Sequence, residues 1–195
     1  MTQLIIATHN AHKLKEFQAA FAQTDFILSS ASDHTIADIP ETGTTFEENA
    51  VIKAQAVLDQ TSIAAIGDDS GLVVSALKDE KGEFPGLFSK RFADDCGGYD
   101  EAVQELLRQL DGRPATAYYT CTLAFCRPDD EPIIAEGRVT GRLVYPARGD
   151  STFGYDRWFQ PDGDTRTFGE MTTDEKRHYD HRSKAITRLL KLIND

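Results

Sequence analysis

Apolar positions fall first into short continuous runs and then into helical spacing, and this pattern predicts strands and helices in turn. The runs at 3–7, 26–30 and 62–66 predict three short buried strands, the last ending at a pair of aspartates. Between the first two, apolar residues three and four positions apart predict a helix that Asn10 caps; these are Leu14, Phe17 and Phe21.

Three further helices are predicted from capping residues and apolar stripes. Gly43 interrupts the chain, and the pairs Thr44/Glu47 and Thr45/Glu48 that follow it each fit a capping box at the start of a helix. Another helix is predicted over 98–110. The last helix begins near His181 with Asp180 as its N-cap, and its apolar stripe comprises Ile186, Leu189, Leu190 and Ile193.

Two longer runs, 115–126 and 132–144, read as antiparallel strands joined by a turn-rich segment. Short strands that alternate with helices, followed by long strands, predict a mixed α/β fold whose sheet is not all parallel. The 195 residues fit a single domain, 1–195, with two lobes around a shared core.

Composition narrows the class of protein. With 40% hydrophobic and 27% charged residues the chain has the composition of a soluble globular protein, and it lacks an apolar stretch of membrane-spanning length. The N-terminus shows no signal-peptide pattern, so we expect a cytoplasmic protein without a membrane partner. Cys96, Cys121 and Cys126 match no zinc spacing, and the last two face opposite sides if their segment is a strand.

The net charge of −11 argues against a nucleic-acid polymer as partner, because such binding requires a broad basic surface. A single nucleotide is still compatible with this charge, since a few local cations and a divalent metal suffice for a triphosphate.

Two segments are candidates for binding phosphate. Thr8, Asn10 and Lys13 lie at a strand-to-helix junction, where free N–H groups attract anions. The alternative is that Asn10 only caps the helix and Lys13 is solvated. Asn49 and Lys53 share a face of the next helix, which is either a second cationic element or an ordinary solvated stripe.

The acidic pair Asp68 and Asp69 follows an apolar strand and precedes Ser70 and Gly71. These residue types form turns, and they also suit a magnesium site at a strand end, where one carboxylate orients or deprotonates a water. Glu41, in the loop before the second helix, is either a turn residue or a metal ligand. The residues alone leave both alternatives open.

Two later segments carry groups suited to a base. Aromatic residues surround Gly154 and Asp156, and they either stack on a base or pack in the core; they are Phe153, Tyr155, Trp158 and Phe159. Lys176, His181 and Arg182 either hydrogen-bond an anion or carbonyl or form a solvated cationic helix start.

Six segments, in this order, resemble the inosine triphosphate pyrophosphatase family, also called non-canonical purine NTP pyrophosphatases. They are "ATHNAHKLKE", "ETGTTFEENAVIKA", "GDDSGL", "PGLFSKRFA", "FGYDRWFQPDG" and "EMTTDEKRHYDHRSKA". The resemblance covers about residues 4 to 190. It implies an elongated mixed sheet with helical lobes around a nucleotide-binding cleft, a homodimer, and Mg²⁺-dependent cleavage of ITP, dITP or XTP to the monophosphate and pyrophosphate.

The resemblance also implies a role for individual residues. Glu41 and Asp69 match the metal-binding carboxylates, and Asp69 is also the expected general base. The substrate-binding positions fall on Thr8, Asn10, Lys13, Lys53 and Ser70, on the base-binding segment Phe153, Gly154, Tyr155 and Asp156, and on Lys176, His181 and Arg182.

This chain departs from the usual family pattern at His9, Arg157 and Asp180, which bears on the base pocket and the ranking of substrates. Two other functions stay open. A related pyrophosphatase acting on pyrimidine or modified nucleotides would use similar phosphate chemistry. A non-hydrolytic nucleotide sensor would not need the carboxylates of Glu41 and Asp69.

Overall fold

The computed structural model contains strands and α-helices and describes residues 2–79 and 82–194. The strands in that part of the chain are β1 (Thr2–Ile6), β2 (Phe26–Ser30), β3 (Ala65–Asp79), β4 (Gly82–Pro85), β5 (Thr116–Cys126), β6 (Ile133–Leu143) and β7 (Phe159–Pro161). The α-helices are α1 (Ala11–Phe21), α2 (Phe46–Thr61), α3 (Ser89–Cys96), α4 (Tyr99–Leu110), α5 (Thr173–Arg177) and α6 (His181–Asn194). None of these helices has the length and apolar content needed to cross a membrane.

The sheet contains both parallel and antiparallel pairs. Its strands follow the order β2-β1-β3-β5-β6-β7, with β4 paired to β3 off this path. β1 runs parallel to β2 and to β3, with Thr2 opposite Phe26 and Ile5 opposite Ala65. β4 pairs antiparallel with β3, and β7 antiparallel with β6. The predicted α/β class with a mixed sheet is confirmed.

The chain divides into two compact units. The first unit takes the chain up to Asp69, then Cys121–Gly137, and then the chain from Arg182 onward. The second unit takes Ser70–Thr120 and Arg138–His181. Three strands, β3, β5 and β6, therefore begin in one unit and end in the other. The arrangement of two lobes around a cleft stays a prediction.

In the first unit, alternate residues of β1 face two different layers, as the period of a strand requires. Leu4 and Ile6 pack with the predicted apolar residues of α1 and α6, in a cluster that also holds Cys121. Ile5 packs with Val57 of α2 on the other face. Cys126 packs in a separate cluster beside Ala50, Ala54 and Leu58 of α2, so the two cysteines do lie on opposite faces.

In the second unit, β3 and α4 share one core. The predicted stripe of α4 is buried against apolar residues of β3, in a cluster that contains Leu72, Val74, Val103, Leu106, Leu110 and Phe159. The pattern did not predict α3 or α5. Both helices are short, and each buries too few apolar side chains to produce a periodic signal.

The predicted caps of α1 and α2 form, and the cap of α6 by Asp180 stays a prediction. The Asn10 Oδ1 accepts hydrogen bonds from the backbone N–H groups of His12 and Lys13, which begins α1. Thr45, and not Thr44, caps α2 by accepting from the Glu48 N–H at 3.0 Å. The Glu48 carboxylate accepts from the N–H and hydroxyl of Thr44, one residue before the cap.

The predicted end of the third strand was wrong. We expected a strand over 62–66 that stopped at the aspartates, whereas Ser62 ends α2 and β3 runs without interruption through both aspartates to Asp79. The turn interpretation of Asp68-Asp69-Ser70-Gly71 therefore fails. An extended chain is possible there because cations neutralise both carboxylates from opposite faces, as described below.

The close approach of β3 to α2 depends on Gly67. A Cβ at this position would lie 1.9 Å from the Ala50 carbonyl oxygen. Gly67→Ala therefore forces the helix from the strand, and we expect it to lower the free energy of unfolding by about 3 kcal/mol, the upper end of overpacking costs. Urea unfolding measures the change. Gln55→Ala, an exposed change on the same helix, should stay within about 0.5 kcal/mol. Equal urea midpoints for the two variants would contradict the packing argument.

Candidate active site

The two adjacent aspartates face opposite sides of β3. Successive side chains of a strand point in opposite directions, so Asp68 and Asp69 meet different helices. Asp68 contacts residues of α1 and α6, and Asp69 contacts residues of α2. All of these residues belong to the first unit. Each carboxylate therefore has its own set of cationic or amide partners.

Asp68 is held between two cations. Its side chain is almost fully buried, and its carboxylate accepts from the Lys13 Nζ and, at 2.7 Å, from the Arg182 Nε. Burial by itself would raise the pKa of Asp68, but Arg182 and Lys13 hold this pKa well below its ordinary value. Asp68 is thus committed to the ionised form, and Lys13 lies against it instead of extending into solvent.

Arg182 connects two helices of the first unit. Its Nη1 donates to the Glu16 carboxylate of α1 at 2.6 Å, in addition to the contact with Asp68. Burial would lower the pKa of this guanidinium, and the two carboxylates raise it further above its ordinary value. These contacts give Arg182 a structural role. Its predicted contact with the base stays a prediction.

The negative charge of Asp69 is less fully compensated than that of Asp68. Its carboxylate accepts from the Lys53 Nζ at 2.9 Å and from the Asn49 Nδ2 at 3.2 Å. Burial raises the pKa of Asp69 above its ordinary value; Lys53 opposes the rise, while the nearby Glu41 charge adds to it. The result is a buried carboxylate with a tendency to take up a proton, which is what a general base requires.

Lys53 joins the two predicted metal ligands. Its Nζ contacts Glu41 at 2.8 Å as well as Asp69. Burial would lower the pKa of Lys53, but these carboxylates raise it above its usual value. The interpretation of Asn49 and Lys53 as a solvated stripe was wrong, since both side chains are buried.

The donors present fit a magnesium ion. Glu41 and Asp69 converge on one ammonium group, so one positive charge faces two negative ones, and Glu41 is still 45% exposed. Within the described residues there is no group of three or more His, Cys, Asp or Glu that could hold a metal alone. Magnesium is commonly bound by only one or two carboxylates together with substrate phosphates, which matches this pair.

The loop after β1 lies at the start of α1. The Thr8 Oγ1 accepts from the Asn10 N–H at 3.1 Å, and the Asn10 side chain caps the helix. Capping occupies two of the N–H groups that an anion would otherwise use. The cap interpretation of Asn10 is therefore confirmed, and a role of Thr8 and Asn10 in phosphate binding stays a prediction.

The predicted base-binding residues other than Arg182 lie in the second unit. The Asp156 carboxylate accepts from the Lys176 Nζ at 2.7 Å and from the Ser151 hydroxyl at 3.1 Å. The same ammonium lies 5.0 Å from the centre of the Phe153 ring and 5.3 Å from that of Phe168. An ammonium fixed this way beside an aromatic face can donate to a base carbonyl.

Gly154 has a φ of +54°, the left-handed conformation that glycine adopts most easily. It therefore allows the tight turn that places Phe153 and Asp156 in the contacts described above. Ser70 is half-buried and follows Asp69 directly in β3. Its role in substrate binding stays a prediction.

Tyr155 has core contacts. Its hydroxyl donates to the Ser89 carbonyl at 2.7 Å, and its ring packs edge-on against Tyr99. His181 is buried and stacks in parallel on Tyr119, with 4.7 Å between the ring centres. The structure leaves stacking of Tyr155 on a base as a prediction.

Sequence reasoning missed Glu16 and Tyr119. Glu16 lies three residues after Lys13 in α1, so the shared helix face was a signal available beforehand. Tyr119 lies inside a long apolar strand, where nothing in the pattern distinguishes it from a core residue. The contacts of Asp68 were also beyond prediction, since its partners lie 55 and 114 positions away.

Asp68→Asn tests the ion-pair network. We expect a loss of about 3–5 kcal/mol in unfolding free energy at pH 7, because Lys13 and Arg182 lose their shared counter-charge. The native pKa of Asp68 is lowered, so its stabilisation is present above the unfolded pKa of about 3.9 and is lost as the pH falls through the native pKa. Urea unfolding at pH 7 and pH 3 should therefore show a smaller difference from the parent at pH 3.

The control for this variant is Asp174→Asn, which removes an exposed pair with Arg177. Exposed pairs contribute about 0–1 kcal/mol, so this variant should unfold close to the parent. If Asp68→Asn were no more destabilising than the control, the network would not support the fold as described.

Comparison with known proteins supports the family resemblance. The model of the Ham1 family matches residues 4–192. A protein of Streptomyces coelicolor named dITP/XTP pyrophosphatase is 37% identical over 199 residues, covering 100% of this chain and 98% of its own. A protein of Brucella melitensis with the same name is 42% identical over 183 residues, covering 89% of this chain and 81% of its own.

Solved structures agree with this result. The Staphylococcus aureus Ham1 protein has a TM-score of 0.86 and 30% identity, with 99% of this chain and 98% of that chain covered. A HAM1 protein from Coxiella burnetii has a TM-score of 0.87 and 32% identity, with 100% of this chain and 99% of that chain covered. Sequence, fold and relatives thus agree, and the chain belongs to the Ham1 family.

Proposed function

We propose that this chain is a nucleoside triphosphate pyrophosphatase that hydrolyses non-canonical purine nucleotides, ITP, dITP and XTP, to the monophosphate and pyrophosphate. The observation that carries the proposal is the buried Asp69 carboxylate, placed beside Lys53 and Glu41. The relatives named dITP/XTP pyrophosphatase support the choice of substrate class.

The triphosphate is bound by the lysines of the first unit. Lys53 lies beside Asp69 and Glu41, and Lys13 lies against Asp68, so both ammonium groups are held in place before substrate arrives. Thr8 and Asn10 supply polar groups at the start of α1, and Ser70 follows Asp69 in β3. Preorganised charges of this kind account for most of the acceleration in phosphoryl transfer.

Asp69 orients and deprotonates the water that attacks the α-phosphorus, and pyrophosphate leaves. Lys53 and Asn49 hold its carboxylate in position, and its raised pKa brings it nearer to the range useful for a base. Glu41 and Asp69 would hold Mg²⁺, which supplies charge neutralisation of the phosphate oxygens when bound.

The base is selected by hydrogen bonding in the second unit. Hypoxanthine and xanthine carry a 6-oxo acceptor where adenine carries an amino donor. Donors from Lys176 and His181 therefore hydrogen-bond to the 6-oxo group and are left unpaired by the amino group of adenine. A mismatch of this kind discriminates by roughly 10⁴-fold. Phe153, Gly154, Tyr155 and Asp156 would line the base, and Arg182 would assist from the next position in α6.

Three further features belong to the proposal. We infer a homodimer from the family resemblance. The charge of −11 supports a nucleotide as substrate instead of a nucleic-acid polymer. Because the proposed substrates belong to the cellular nucleotide pool, we expect the protein in the cytoplasm, without a membrane partner.

A substrate panel tests the reaction. Purified protein with Mg²⁺ should release pyrophosphate from ITP, dITP and XTP much faster than from ATP, since adenine presents an amino donor in place of the 6-oxo acceptor. GTP shares the 6-oxo group, so a slower reaction with GTP would have to arise at its 2-amino group. Ion chromatography separates pyrophosphate from orthophosphate. Orthophosphate as the first product would exclude cleavage at the α-phosphorus. A preference for pyrimidine or modified nucleotides would favour the related pyrophosphatase that acts on those substrates. Binding without turnover would indicate a nucleotide sensor.

Asp69→Asn separates catalysis from stability. We expect pyrophosphate release to fall about 10²–10⁴-fold, the usual contribution of a general base. The native pKa of Asp69 is raised, so the stability tied to its neutral form is lost as the pH rises through that pKa. A permanently neutral Asn should therefore leave the unfolding free energy at pH 7 equal to the parent's or higher.

The matched comparison for Asp69→Asn is Asp68→Asn, which should lower stability. Near-parental turnover in Asp69→Asn, with retained ITP binding by calorimetry, would remove Asp69 from its role as base.

A further inference from the structure

Tyr119 of β5 stacks directly on a predicted base-binding residue. Its ring is parallel to that of His181, with an interplanar angle of 8° and 4.7 Å between centres. Both residues lie in the second unit, and Tyr119 is 8% exposed. Stacking of this kind fixes the plane of the imidazole and therefore the direction in which its ring nitrogens point.

The hydroxyl of Tyr119 lies against the other base-binding segment. A Cβ on Gly154 would lie 3.9 Å from the Tyr119 oxygen. Burial raises the pKa of Tyr119 well above its ordinary value, the charge of Asp156 adds to the rise, and the Tyr155 backbone N–H opposes it. The oxygen is therefore close to three consecutive residues of the segment Gly154–Asp156.

The remaining faces of the ring contact the aromatic core. Phe159 packs edge-on at 4.8 Å between centres, and Phe168 lies at 6.3 Å with an interplanar angle of 17°. Phe168 in turn lies beneath the Lys176 ammonium. Tyr119 thus contacts His181 directly, lies beside Gly154 and reaches Lys176 through one ring.

Packing alone does not explain a tyrosine here. Phenylalanine would fill the same space without burying a hydroxyl, and burying a polar group is costly unless it interacts. The oxygen lies toward the turn at Gly154, away from the apolar residues that hold the ring. A role in setting the position of that turn accounts for this placement.

We propose that Tyr119 is a positioning residue that sets selectivity for a 6-oxopurine base by holding His181 and the Gly154–Asp156 backbone in register. The inference rests on the proposed function, because it takes these residues as the base-binding groups. The Tyr119 ring orients the His181 imidazole, and the Tyr119 hydroxyl holds the turn that presents Phe153 and Asp156. Hydrogen-bond discrimination depends on such placement, and a misplacement of 1 Å can cost roughly 10²-fold.

Two variants at this position separate the ring from the hydroxyl. Tyr119→Leu removes both contacts, and Tyr119→Phe keeps the stack on His181. We expect the ratio of kcat/KM for dITP over dATP to fall about 10²-fold in Tyr119→Leu and about tenfold in Tyr119→Phe. The change should appear in KM for dITP, with kcat nearly unchanged, because the groups that Tyr119 contacts belong to the proposed base-binding set and not to the proposed phosphate and metal site.

Tyr118→Phe is the matched control. Tyr118 is the preceding residue of β5, is also buried, and faces the other side, where the Arg138 guanidinium lies over its ring. This control should retain the parental dITP:dATP ratio. Thermal unfolding and near-UV circular dichroism identify the variants that are folded.

Binding supplies a readout that does not depend on turnover. Calorimetric titration with IMP and AMP should show the preference for IMP decreasing from the parent to Tyr119→Phe to Tyr119→Leu. A folded Tyr119→Leu with the parental preference, in turnover or in binding, would overturn the inference. If the parent bound IMP over AMP but released no pyrophosphate, the proposed reaction would fail, and the binding series would still decide the role of Tyr119.

Discussion

The structure depends on accommodating two neighbouring carboxylates within a buried strand. Asp68 and Asp69 are both at least nine-tenths buried in β3, and an isolated buried carboxylate is unstable by several kcal/mol. The extended backbone sends the two side chains to opposite faces, so each can have its own cations. This requirement determines which side chains of α1, α2 and α6 must point toward β3.

The two faces are neutralised to different degrees. On one face, Lys13 and Arg182 lower the pKa of Asp68, and Glu16 completes a network of alternating charges. On the other, a single Lys53 serves both Asp69 and Glu41, and the pKa of Asp69 is raised. One aspartate thus stabilises the fold, whereas its neighbour is kept in a less favourable charge state, which supports its proposed roles in binding a cation and moving a proton. Adjacent identical residues acquire different environments because of partners far away in the chain.

Local rules predicted the elements well where a capping residue or a long apolar stripe is present. Asn10 and Thr45 begin α1 and α2, and the stripe of α6 packs as expected, because helix termini and periodic burial depend on nearby residues. The prediction of a strand that ends before Asp68 was wrong. Charge and turn propensity argue for an exposed bend there, and only distant cations make a buried strand possible.

The sequence by itself determined the α/β class, the starts of α1, α2 and α6 and, through the order of its motifs, the family and the residues of interest. The tertiary structure decided what those residues touch: Arg182 lies with two carboxylates, Tyr155 donates to a backbone carbonyl, and Tyr119 stacks on His181. The reason is physical. Propensity and periodicity arise from neighbours in the chain, whereas the charge state and orientation of a buried group depend on partners that only folding brings within a few ångströms.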